Sequence, residues 1–114
     1  MQTLQMITDT RSGLVQISEI GLKLDIPLLR DAVLDEVHKC IIILYGQYPE
    51  IHIDAYSLET NFSQEITVNS DAIPQHLVQS NDKAVSVVCA MDDADYKFKI
   101  DHQNLKLCAP KRTY

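Results

Sequence analysis

Asp25-Ile-Pro-Leu-Leu-Arg-Asp-Ala-Val-Leu-Asp-Glu-Val-His-Lys-Cys-Ile-Ile-Ile-Leu-Tyr45-Gly46-Gln-Tyr-Pro49-Glu-Ile51-His-Ile-Asp-Ala-Tyr-Ser-Leu58 is the stretch on which the fold reading turns. Leu29, Val33, Val37, Cys40 and Leu44 recur at steps of three and four, the spacing of one helix face. Asp25 suits an N-cap and Pro27 a first helical turn. Gly46 and Pro49 then stop the pattern, and Ile51 to Leu58 alternates apolar with polar as a half-buried strand does. A helix over Ile26–Tyr45 handing over to a strand predicts an α+β fold. Three consecutive isoleucines, Ile41 to Ile43, leave residues 40–45 open to a second reading as a strand, although the helix is preferred.

The flanks add strands. Residues 14–24 fit either period: Leu14, Ile17, Ile20 and Leu24 are helically spaced, while Ile20, Leu22 and Leu24 alternate. Further strands are predicted at Gln64–Val68, Ala84–Met91, Tyr96–Asp101 and Leu105–Ala109, with polar hairpin connections at Asp92–Asp95 and His102–Asn104. Pro74 three residues after Asp71 reads as the start of a short helix, Ile73–Gln79. The expected architecture is an antiparallel sheet of four to six strands, with one long helix packed on one face and one short helix. Residues 1–114 suit a single domain, with 1–13 an edge strand or arm and 110–114 a frayed tail.

Composition limits the functional classes. No apolar run approaches the ~20 residues that span a bilayer, and the first nine residues lack a leader pattern, so a cytoplasmic protein away from membranes is expected. Cys40, Cys89 and Cys108 are odd in number and far apart, which argues against a disulfide framework. Residues 1–95 carry five basic groups against fifteen acidic ones, a net of −10; residues 96–114 carry five against Asp101 alone, a net of +4.

No motif announces chemistry. On a helix, His38 and Cys40 would point about 200° apart and could not share an ion. His52, His76 and His102 follow no ligand spacing, and Asp92-Asp93-Ala94-Asp95 lacks the remainder of a calcium loop. There is no nucleophile elbow and no glycine-rich phosphate loop. Catalytic residues, metal ligands and cofactors are therefore expected to be none.

Residues 15–39 resemble the helix-turn-helix module of small DNA-binding regulators, with Ser18 as first cap, Gly21 at the helix crossing and Asp25-Ile-Pro27 as the turn. The resemblance implies DNA contacts from Arg30 and Lys39. Asp31, Asp35 and Glu36 on the same helix depart from it, because carboxylates repel a polyanion and make nucleic acid a disfavoured partner. The leading expectation is an acidic protein-binding module of adaptor, inhibitor or immunity type with no catalytic activity, its partner another protein or a copy of itself. Ile41, Ile42, Ile43 and Tyr45 would supply an apolar patch, and Lys97, Lys99 and Lys106 a basic strand face. The alternatives are the helix-turn-helix regulator, and a small enzyme or ligand-binding domain whose site is assembled from dispersed residues.

Overall fold

The structure, a computed structural model, describes residues 4–69 and 71–112. Eleven strands account for most of it: β1 Met6–Asp9, β2 Leu14–Ile17, β3 Leu22–Asp25, β4 Leu29–Asp35, β5 Cys40–Gln47, β6 Glu50–Ser57, β7 Ser63–Ile66, β8 Ile73–Gln79, β9 Val85–Met91, β10 Ala94–Asp101 and β11 Lys106–Arg112. The strands form three antiparallel sheets, ordered β1-β2-β3, β4-β5-β6-β7 and β11-β10-β9-β8. A three-residue 3₁₀ turn, Ser18–Ile20, is the helical segment among the described residues. The expected α+β class is thus overturned, and both predicted helices are strands. No helix among the described residues is long and apolar enough to cross a membrane.

The isoleucine run is explained by layering. The four-stranded sheet around β5 lies between the other two. Cys40, Ile42 and Leu44 join the core shared with β8–β11, where Val87, Cys89 and Phe98 meet them. Ile41 and Ile43 point the other way and pack with Val15 and Ile17 of β2. A strand buried on both faces shows no alternation, so its run of apolar residues imitates the end of a buried helix.

The helical spacing upstream has a different origin. The β4–β5 register shifts between Leu29 and Asp31, so Arg30 is bulged. That extra residue puts Leu29 and Ala32 on the face toward β2 while Val33 packs toward β8–β11, so Leu29 and Val33 share a helical spacing without sharing a face. Val37, counted as part of the helical face, is 62% exposed in the β4–β5 turn. In the second case Pro74 lies on β8, an edge strand with its own register shift between Pro74 and His76, a place where proline is tolerated.

The other expectations fare better. The alternating segment 51–58 falls on β6, and the four further predicted strands fall on β7, β9, β10 and β11. The ambiguous residues 14–24 are β2, the 3₁₀ turn and β3. The arm is β1 from Met6 onward, whereas residues 110–112, expected to be frayed, belong to β11. Residues 1–3 and 113–114 of those expectations lie outside the described residues.

The two four-stranded sheets are sewn together at both edges. Along one, Asp31 Oδ2 accepts the Leu77 N–H at 3.0 Å, and Gln79 Nε2 donates to the Leu34 carbonyl at 3.3 Å. Along the other, Thr67 donates to the Leu105 carbonyl at 2.9 Å and accepts from the Leu107 N–H at 3.1 Å. These bonds give partners to edge groups that would otherwise recruit foreign strands.

Candidate functional site

The sheet β1–β3 is built of four-residue strands, whereas β5 and β6 each have eight. The first candidate site lies at the end of the central sheet with the β5–β6 turn. There Tyr45 and His52 are cross-strand partners, their ring centroids 5.4 Å apart. The Tyr45 hydroxyl donates to Asp54 Oδ1 at 3.0 Å, and Ser63 Oγ donates to Asp54 Oδ2 at 2.8 Å. His52 Nδ1 meets Glu65 Oε2 at 2.7 Å. Burial, and then the charges of Asp54 and Glu65, push the Tyr45 phenol up to about 12, so it remains a donor at neutral pH.

Above this polar strip opens a groove of about 500 Å³, walled by Pro27, Leu28, Tyr48 and Pro49 and edged by Glu50. Leu28 is 62% and Tyr48 66% exposed. Among the described residues no Lys or Arg lines the groove. Gly46 at its base has φ +109°, and a Cβ there would run into the Glu50 carbonyl oxygen.

A second cluster sits at the opposite end, where the β4–β5 and β10–β11 turns meet. Asp35 is fully buried. Its Oδ1 accepts the His38 N–H at 3.0 Å. Its Oδ2 lies 2.9 Å from His38 Nδ1 and 3.3 Å from His102 Nε2. The two imidazoles stack with centroids 3.6 Å apart, 8° from parallel. Cys40, the cross-strand partner of Asp35, has its thiol pushed up to about 12 by burial and by the Asp35 charge. Burial and then His38 depress His102, while Asp35 and Asp101 pull the other way. Asp35, Cys40 and His102 present donor atoms all within 4.8 Å of one another.

The sequence-derived candidates scatter across this frame. Ile41, Ile42 and Ile43 are 0%, 0% and 2% exposed, which makes them core and leaves them no surface for a partner. Tyr45 alone of that patch reaches a site. Lys97 and Lys99 lie on one face of β10, with Tyr96, Phe98 and Ile100 on the inner one, and Lys106 opens β11. Arg30 sits in the β4 bulge and Lys39 in the turn at the far end of the same hairpin. With residues 15–39 folded as strands, the helix-turn-helix geometry is absent and these two cations share no surface.

The argument that held His38 and Cys40 apart falls with the helix on which it rested. His102, from a distant hairpin, carried no local signal in the sequence. Comparison of the chain with protein-family models, with curated proteins and with solved structures returns no match.

Proposed function

We propose that this chain is a protein-binding module whose groove receives an extended, basic segment of another protein. The observation that carries the reading is the groove itself: exposed Leu28 and Tyr48 on its walls, Glu50 at its edge, and no Lys or Arg in its lining among the described residues. The ring faces of Tyr45 and Tyr48 suit the aliphatic stem and the charge of a lysine or arginine side chain. Glu50, with Glu65 behind His52, supplies opposite charge. The net −10 over residues 1–95 would steer such a partner toward the molecule. The three free cysteines fit a reducing compartment such as the cytoplasm.

A display library of random extended peptides, selected on the immobilised protein, tests the reading. Enrichment of Lys and Arg is expected, with affinity falling as salt rises. Tyr48→Ala and Glu50→Lys should each weaken the selected peptides by about tenfold, the scale of a side chain worth more than 1 kcal/mol at an interface. Selection of acidic or purely apolar peptides, or indifference to both variants, would refute it. The lysine-bearing face of β10 is a basic surface on the same chain, so a second copy is a partner of the same chemistry. Sedimentation at several concentrations separates self-association from binding to a different protein.

A further inference from the structure

The cluster at the other end of the molecule has no part in that groove. A carboxylate removed from water needs compensation, and Asp35 receives it from two imidazoles and one backbone N–H. The arrangement is more than a patched carboxylate, because an acid, a thiol and an imidazole converge on one volume. Asp35 and Cys40 are fixed as a cross-strand pair closing the β4–β5 hairpin. His102 is carried to them by the β10–β11 turn of the facing sheet. Carboxylate oxygen, thiolate sulfur and imidazole nitrogen together make a borderline donor set, suited to zinc and its neighbours rather than to calcium or magnesium.

We propose that Asp35, Cys40 and His102 form a site for one divalent transition-metal ion of the zinc class. Asp35 Oδ2, Cys40 Sγ and His102 Nε2 supply three ligands, and water completes a tetrahedron. His38 is a positioning residue: its backbone N–H and its Nδ1 hold the Asp35 carboxylate in place. Asp35 Oδ2 lies within reach of both ring nitrogens, 2.9 Å from His38 Nδ1 and 3.3 Å from His102 Nε2. On binding, the Cys40 proton leaves to solvent, and the ring proton of neutral His102 shifts to Nδ1 so that Nε2 offers its lone pair. Zinc bonds of about 2.0–2.3 Å separate tetrahedral ligands by roughly 3.3–3.8 Å, so donors now within 4.8 Å of one another need close by only about 1 Å. His102, in the β10–β11 turn, can supply that movement without disturbing the sheets. The ion would tie the two four-stranded sheets together at one end.

Cobalt(II) is the probe, added to protein carrying Cys108→Ser so that the half-exposed thiol cannot contribute. One equivalent is expected to bind with a thiolate-to-cobalt charge-transfer band in the near ultraviolet, together with the visible bands of a tetrahedral ion. Added zinc should bleach both. Cys40→Ala should abolish the charge-transfer band, and His102→Gln should weaken binding by at least about tenfold. His38→Gln should weaken binding while leaving the band position unchanged, as expected of a residue that orients a ligand without touching the ion. Absence of the band at millimolar cobalt overturns the proposal, and so does its persistence in Cys40→Ala. Should Cys40→Ala fail to fold, the surface-turn variant His102→Gln decides: unchanged binding there also overturns it.

Discussion

Asp35 shows how much one residue can depend on distant neighbours. The carboxylate is fully buried, while the side chains of His38 and His102 are 44% and 20% exposed. The two ways of breaking the cluster should therefore differ in cost. Asp35→Ala leaves two imidazoles that water can reach, and should lower stability by about 1–3 kcal/mol. Replacing both histidines by alanine strands a buried charge on one N–H, and should cost about 3–5 kcal/mol. Urea denaturation at neutral pH measures both, and an equal cost would contradict the proposed roles of carboxylate and imidazoles.

Titration offers a second residue-scale test. Burial pushes the Cys89 thiol from 9.0 up to about 12. Tyr45 is raised from 10.0 to about 12 by burial and then by Asp54. Both groups hold their protons more tightly folded than unfolded. Their contribution is intact below pH 9 and is withdrawn as the pH climbs toward 12. Alkaline denaturation followed by circular dichroism should show a loss of stability across that window, reduced in Tyr45→Phe. A third test is Gly46→Ala. At φ +109° and against the Glu50 carbonyl, the added methyl should destabilise the hairpin by about 1–3 kcal/mol and reshape the groove.

Among the elements, β5 illustrates why local pattern misleads. Alternation reports a strand only when one face is wet, and β5 has no wet face from Cys40 to Leu44. β4 fails for another reason: Leu29 and Val33, four apart, face opposite cores across one bulged residue. β6 and β10 keep unbroken alternation, so their positions could be read directly from the sequence. The same burial gives a prediction for Ile42, which is 0% exposed between the two four-stranded sheets. Ile42→Ala should cost about 2–5 kcal/mol without changing oligomeric state, and Ile42→Lys should fail to fold. A stable, monomer-shifted Ile42→Lys protein would instead place that residue at an interface.

At the scale of the whole molecule, the three-layer order sets both rigidity and site placement. β5 pairs on each side and packs on each face, whereas β1 is an edge strand of the smallest sheet. Native-state hydrogen exchange should therefore find the slowest amides in β5 and the fastest opening in β1, since local opening follows burial and pairing. An inverted order would contradict the layering. The groove lies at the β5–β6 turn, and the Asp35 cluster lies where two hairpin turns from facing sheets meet.

The amino-acid sequence by itself determined the acidic balance, the free thiols, the alternating strands and the polar hairpins, because each of these is written in residues close together. Only the tertiary structure decided that the isoleucine run is a doubly buried strand, and that Asp35 and Cys40 share a pocket with His102. The physical reason is that burial on a second face, and the approach of a side chain more than sixty positions away, are products of sheet stacking. No local period in the chain encodes them.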